Sequence, residues 1–301
     1  MSFASDCKAE ICRAKIDKKC CAVAECYGVL LFCRSFSPSE IRITTASPDF
    51  AARLPKLFHR AFDVSFDLLP PEEAGGKRSL VISSQDKIAK IFEAFDLDSS
   101  SNVSHHINYG VIEDECCRVA FTRGAFLSGG SVTDPGKRYH LELSTRHHSV
   151  AREMFSVLLD MDFSPGESGR NGNSLLYFKQ ADAIADFLTT VGASTCAMSV
   201  MTAKVEKEMR NTVTRQINCD SANADKTVAA AQEQIRAIKD YAAREGLDSL
   251  PELLRDAALL RITNPEASLA DLARLSYPPV TKSCLSHRLR KIMELAEKES
   301  K

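Results

Sequence analysis

Nowhere in the 301 residues is there a run of about 18 apolar positions, the length a membrane-spanning helix requires. The first residues, MSFASDCKAEICRAK, also lack the apolar core of a secretory leader. Both absences point to the cytoplasm and leave out a membrane partner. Net charge is nearly absent as well, −1 at pH 7, so no global field draws the protein to a polyanion. No C-x-x-C pair occurs among the 11 cysteines, and their number is odd. Zinc sites usually draw on short paired ligand spacings. Cys7, Cys12, Cys20, Cys21, Cys26, Cys33, Cys116, Cys117, Cys196, Cys219 and Cys284 are therefore expected to be reduced, small core residues. Neither they nor His105, His106, His147 and His148 are expected to hold a metal, and no cofactor or small-molecule substrate is expected.

The length suits two or three domains of about 100–150 residues, and a hydrophobic content of 44% suits globular folding. The charge is unevenly spread. Residues 20–195 carry 17 Lys and Arg against 22 Asp and Glu, whereas residues 201–301 carry 17 against 15. Residues 272–293 contain Arg274, Lys282, Arg288, Arg290 and Lys291 and no acid. A basic block in a neutral chain is a local contact surface or a solvated helix face.

The chain also repeats itself. CCAVAECYGVLLFCRS from Cys20 aligns without gaps on CCRVAFTRGAFLSGGS from Cys116, an offset of 96 residues. Cys20/Cys116, Cys21/Cys117, Val23/Val119, Ala24/Ala120, Gly28/Gly124, Leu31/Leu127 and Ser35/Ser131 are identical pairs. The same offset returns between LVISSQDKIAKIF and LYFKQADAIADFL, where Asp86/Asp182, Ile88/Ile184 and Ala89/Ala185 agree. In the second copy, DPGK reads as a type II turn centred on Pro135 and Gly136. RYHLELS alternates as a strand, SVAREMFSVLLDM has helical periodicity, and SPGESGRNGN reads as a loop. SLLYFK reads as a strand and ADAIADFLTTVG as a helix ended by Gly192. The unit is helix–hairpin–helix–hairpin–helix. The first copy is less regular, with Pro55 expected to interrupt its middle helix. Asp96 to Ser104 reads as the link between copies.

GAFLSGGS nearly spells a P-loop, but Gly130 stands where the lysine belongs, and a helix precedes the glycines instead of following them. The better match is to LAGLIDADG homing endonucleases. The resemblance implies two such helices packed at a pseudo-twofold axis, each ending in an acid that holds a divalent metal. Aligned on Gly124 and Gly28, those acid positions fall at Gly129 and Cys33, neither a carboxylate. Hard cations need oxygen ligands, so the motif is expected to be a helix-packing joint. Asp134, nearby, occurs in one copy only.

Residues 201–245 have a largely helical pattern. The polar first part reads as a linker helix or, alternatively, a DNA-facing strip through Lys204, Lys207, Arg210 and Arg215. VAAAQEQIRAIKDYAAREG is a helix stopped by Gly246. Three short helices follow. SLPELLRDAALLRI has Pro251 in its first turn. LADLARL opens with a Ser268–Asp271 capping pair. SCLSHRLRKIMELAEK carries the apolar stripe Leu285, Leu289, Ile292 and Met293. With SYPPVTKS as the turn, the last two helices form a helix-turn-helix pattern. Lys282, Arg288, Arg290 and Lys291 are the candidate phosphate contacts. Ser283, Ser286 and His287, at the start of the last helix, are the candidates for base edges.

RGAFLSGGSVTDPGKRYHLEL, NCDSANADKTVAAAQEQI, LPELLRDAALLRITNPEASLADLARL and PPVTKSCLSHRLRKI together resemble the WhiA family of sporulation and cell-division regulators. The resemblance covers nearly the whole chain. It implies an α+β, LAGLIDADG-like domain that has lost cleavage, joined to an all-α helix-turn-helix domain. The expected division is a helical segment over 1–19 and the duplicated domain over 20–198, with repeats at about 20–98 and 116–195. A linker over 199–224 and a DNA-binding domain over 225–301 complete it, the helix-turn-helix lying at about 268–296. The reading is a non-enzymatic, nucleoid-associated transcriptional regulator that binds specific double-stranded DNA. The alternatives are a metal-dependent endonuclease and a module that binds another transcriptional regulator.

Overall fold

The computed structural model describes residues 2–71, 76–97 and 105–298. The chain divides into two units, residues 1–207 and 208–301, and each is described by itself.

In the first unit, Ser2 caps α1 (Phe3–Ile11), whose Cys7 and Ile11 enter the core. Next is α2 (Lys19–Leu31), with Ala22 and every residue from Ala24 to Leu31 buried. A helix covered on nearly all sides is a central element, as its weak amphipathicity requires. β1 (Ser35–Phe36) and β2 (Ile41–Thr45) form the first hairpin, α3 (Pro48–Phe62) crosses next, and β3 (Arg78–Ile82) leads into α4 (Gln85–Glu93). The three strands form an antiparallel sheet in the order β1-β2-β3.

The second copy repeats the plan as α5 (Glu115–Gly129), β4 (Gly130–Val132), β5 (Leu141–Thr145), α6 (His148–Asp160), β6 (Gly166–Arg170), β7 (Asn173–Phe178) and α7 (Ala181–Val191). Its sheet is antiparallel with order β4-β5-β7-β6. β3 and β7 keep the 96-residue offset, whereas β2 and β5 differ by 100. The second copy has four more residues in its first hairpin, and the first copy recovers them before its last strand.

Three details depart from the sequence reading. Pro55 does not interrupt α3, which runs through it with Leu54, Leu57 and Phe58 fully buried. The apolar face holds the helix despite the amide hydrogen bond that proline removes. Gly136 lacks the positive φ that a type II turn needs at this position, although Lys137 N does donate to Asp134 O at 3.0 Å. SPGESGRNGN is no loop, because Gly166–Arg170 pairs with β7. Asn171 and Gly172 both have positive φ, 51° and 75°, as a two-residue type I′ hairpin demands. The expected link from Asp96 to Ser104 lies mostly outside the described residues.

The core of the unit is the α2–α5 contact. A Cβ on Gly28 would stand 2.0 Å from Phe121 O and 2.8 Å from Ala125 N. One on Gly124 would stand 2.0 Å from Glu25 O and 2.9 Å from Val29 N. The two sets are the same positions one repeat apart, so the pseudo-twofold relation passes between these backbones. Glu25 adds a buried ion pair at this seam, and Arg123 of the second copy also reaches it at 3.5 Å. Arg53 on α3 donates to both carboxylate oxygens of Glu25, at 2.6 and 2.9 Å, and to the carbonyls of Cys12 and Ala14. The repeat mate of Glu25 is Phe121, which has no charge to balance.

From Ser194 a single helix, α8 (Ser194–Glu245), extends for 52 residues, and Gly246 with φ 76° follows it. The second unit holds the later part of α8 with α9 (Glu252–Thr263), α10 (Leu269–Leu275) and α11 (Lys282–Lys298). Its separate core joins Ile238 and Tyr241 to Leu250, Leu254, Leu272, Leu285, Leu289 and Ile292.

The helix contact makes a stability prediction. Gly124→Ala should lose about 3 kcal/mol in urea unfolding, because the new methyl meets backbone that cannot rotate away. Gly169→Ala, with nothing within 4 Å of the added carbon, should stay within about 0.5 kcal/mol of the parent. Equal effects at both positions would contradict the close approach.

Candidate nucleic-acid interface

Three helices and their joints shape the surface. Pro251 caps α9. Ser268 accepts from Asp271 N at 3.2 Å and donates to the Asp271 carboxylate at 2.6 Å, the capping pair read from the sequence. The turn before α11 is tied down by Ser276, whose hydroxyl lies 3.0 Å from the carbonyls of Ala273 and Pro278. Val280 N donates to Ala273 O at 3.1 Å. Thr281 then caps α11, its hydroxyl accepting from Cys284 N at 3.2 Å.

Leu285, Leu289 and Ile292 point inward and are 1% exposed or less, joined by Ala296, while Met293 is half-buried. At about 100° per residue, this stripe fixes where every other side chain of α11 stands. Ser283, His287, Arg290 and Lys291 occupy the opposite, exposed face, and Lys282 is exposed at the helix start. Ser286 and Arg288 are half-buried on the two flanks of the stripe. Arg288 borders an apolar cleft with Leu253, Leu260, Tyr277 and Pro278. The seven candidates therefore form one exposed set of five and two flanking residues, with Arg288 turned away from Arg290.

Two residues escaped the sequence reading. Tyr277 is 98% exposed at the turn that delivers α11; its only signal was an aromatic inside a proline-rich turn. Arg261 is 1% exposed and donates to Gln234 Oε1 at 3.0 Å and to Ala267 O at 2.7 Å. It ties α9 to α8 and to the α9–α10 joint. Burial lowers its pKa, and the periodicity of its segment concealed it among surface arginines.

The alternative strip along α8 is partly engaged elsewhere. Lys204 pairs with Asp182 at 2.7 Å. Lys207 donates to Pro135 O at 2.7 Å and lies 4.4 Å from the centre of the Tyr139 ring. Arg210 and Arg215 are exposed.

At the positions where the LAGLIDADG pattern places its metal-binding acids, the chemistry differs. Gly129 lies against Ser144 O and Phe32, with room for no side chain. The Cys33 thiol donates to Ser35 O at 3.2 Å, and desolvation pushes its pKa up to about 12. Asp134 is exposed and occupied in its turn, accepting from Gly136 N at 2.8 Å. No pair of carboxylates converges here.

The expectation that the cysteines are core residues fails at Cys20 and Cys219, which are exposed. The sulfurs of Cys20, Cys21, Cys116 and Cys117 lie within 4.8 Å of one another. Spacing along one segment could not show this, because the two vicinal pairs come from helices 96 residues apart. His105 and His147 also meet, their ring centres 4.4 Å apart. Among the described residues they gather no further ligand.

The two units thus define a class: a LAGLIDADG-like fold, without the paired acids, followed by a helical unit of helix-turn-helix form. Residues 118–210 match the family model described as the WhiA LAGLIDADG-like domain, and residues 213–296 match the WhiA C-terminal HTH domain. A probable cell division protein WhiA of Ruminiclostridium cellulolyticum is 36% identical over 308 residues, covering 99% of this chain and 98% of the relative. Its counterpart in Carboxydothermus hydrogenoformans is 35% identical over 304 residues, with coverages of 99% and 98%. The crystal structure of full-length DUF199/WhiA from Thermatoga maritima shares the fold, with a TM-score of 0.61 and 24% identity over 99% of both chains. The chain belongs to the WhiA family. Among the described residues no helix is long and apolar enough to cross a membrane.

Adjacent residues of α11 test the facing. Leu289→Ala should destabilise the second unit by about 2–5 kcal/mol, as a truncation in a filled core does. Arg290→Ala should change stability by no more than about 0.5 kcal/mol. Thermal and urea unfolding of the full chain would separate the two, and a reversed order would mean that α11 is rotated.

Proposed function

We propose that the protein is a sequence-specific DNA-binding transcriptional regulator acting in cell division, chromosome segregation or sporulation, with a LAGLIDADG-like unit that does not cleave DNA. One observation carries the reading: the last helix of a helix-turn-helix presents Lys282, Ser283, His287, Arg290 and Lys291 on an exposed face within a stretch free of acids. Cations at fixed spacing suit phosphates and release counterions on binding. The short polar side chains near the start of the helix suit base edges in the major groove. Ser286 and Arg288, on the flanks, serve as border contacts. The repeated unit has no net positive charge with which to grip DNA and is available for contact with another transcriptional regulator. The expected location is the nucleoid.

Salt titration distinguishes the two kinds of contact. Arg290→Ala should lower the slope of log K against log salt by about 0.9 and weaken specific and random DNA alike. His287→Ala should cost about 1–3 kcal/mol at the cognate site and little on random DNA. If the combined Lys282→Ala, Arg290→Ala and Lys291→Ala variant binds its site as tightly as the parent, recognition lies outside α11.

The loss of cleavage has its own test. Pure protein incubated with bound DNA and Mg²⁺ should leave it intact, since Gly129 and Cys33 offer no carboxylate. Cutting that depends on Mg²⁺ and disappears in Asp134→Asn would establish the endonuclease reading instead.

A further inference from the structure

The helix pair that forms the core of the first unit begins at Lys19 and Glu115, and each helix carries two cysteines at its second and third residues. Because the helices are related by the repeat, Cys20 corresponds to Cys116 and Cys21 to Cys117. The close approach at Gly28 and Gly124 holds the starts of both helices together. Four sulfurs consequently lie within 4.8 Å of one another, in two facing vicinal pairs. Cys21 Sγ also lies 3.7 Å from Cys116 O.

We propose that Cys20, Cys21, Cys116 and Cys117 form a tetrathiolate site for one Zn²⁺ ion at the pseudo-twofold axis. Tetrahedral zinc bonds sulfur at about 2.3 Å, which puts neighbouring sulfurs about 3.8 Å apart. Drawing the four sulfurs in by about 1 Å or less meets that geometry. Thiolates select soft or borderline ions, so Mg²⁺ and Ca²⁺ do not compete. A polynuclear iron–sulfur cluster sets iron and sulfide between its thiolates and needs cysteines further apart than these.

In the metal-free site burial and the neighbouring sulfurs push the Cys21 thiol up to about 11 and raise that of Cys117, so it is the ion that draws the protons off. Neither helix has a side-chain cap: Lys18 and Asp114, at the cap positions, make no such bond. The uncapped first turns direct amide hydrogens and the positive ends of two helix dipoles at the sulfurs. Four thiols release their protons to solvent as the ion binds, leaving a net charge of −2 on the centre. A cleft of about 420 Å³ beside Cys21 and Cys116 is lined by Lys15 and Lys18 against Asp17 and Glu115, and by Arg123, whose guanidinium is bonded to Val191 O and Glu25. Cys117 is buried, Cys21 and Cys116 are half-buried and Cys20 is exposed, so an ion can enter from the Cys20 side. All four positions are filled by protein, which makes the site structural: it would clasp the helix starts at the end opposite Gly129 and Cys33.

Full-length protein purified under reducing, anaerobic conditions should contain one zinc per chain by elemental analysis. After removal of the metal, titration with Co²⁺ should give sulfur-to-cobalt charge-transfer bands and intense tetrahedral visible bands. These should saturate at one equivalent and be erased by Zn²⁺. Cys20→Ser/Cys117→Ser should abolish the spectrum. Cys196→Ser, in the separate contact between Cys196 and Cys7, should leave it unchanged. Cys20→His should retain binding while shifting the visible bands and lowering the charge-transfer intensity by one sulfur's share, a change that misfolding does not produce. A reduced parent protein without a saturable cobalt spectrum overturns the proposal, as does a spectrum that survives Cys20→Ser/Cys117→Ser.

Discussion

The first unit depends on two helices whose backbones touch. Gly28 and Gly124 each sit against a carbonyl and an amide of the other helix, at distances no Cβ could share. That approach makes the repeat a structure: two helix-and-hairpin units, each too small to cover its own apolar surface, close over one seam. α2 and α5 are buried on nearly every side because everything else in the unit packs around them. The same contact sets what lies at the two ends of the pair. At one end are Gly129 and Cys33, where an endonuclease of this fold needs acids. At the other are four cysteine sulfurs.

The copies have diverged around that seam in a physically consistent way. Glu25 is buried and answered by Arg53 in the first copy, while Phe121 holds the equivalent place in the second. A buried carboxylate is tolerable only with a close, well-hydrogen-bonded partner, and Arg53 also satisfies two carbonyls of the chain that follows α1. The hairpins differ as well. The second copy closes a strand pair with Asn171 and Gly172 in left-handed conformations, whereas among the described residues of the first copy that region shows a bridge between Leu68 and Val81.

In the second unit, stability and the proposed DNA contacts share one helix but not one face. Leu285, Leu289 and Ile292 commit α11 to its core, and a helix has no freedom to choose its other faces once the apolar stripe is set. Arg261 ties the joint between α9 and α10 to α8 from inside. The exposed basic face therefore stands on a packed core, as the proposed reading of base edges at hydrogen-bond distance requires.

The sequence by itself determined the duplication, the helix stops at Gly192 and Gly246, the Ser268–Asp271 cap and the stripe of α11, because each is written in local spacing or backbone chemistry. It also showed that Gly129 and Cys33 cannot act as carboxylates. It did not show that α3 survives Pro55, since burial of Leu54, Leu57 and Phe58 is a tertiary gain that outweighs a local loss. Nor did it separate Arg288 from Arg290, two residues apart in the chain but facing different surroundings across a helix. The gathering of Cys20, Cys21, Cys116 and Cys117 was decided entirely by the tertiary structure. No spacing along the chain encodes it; only the contact of α2 with α5, made possible by two glycines, carries sulfurs 96 residues apart to within reach of a single ion.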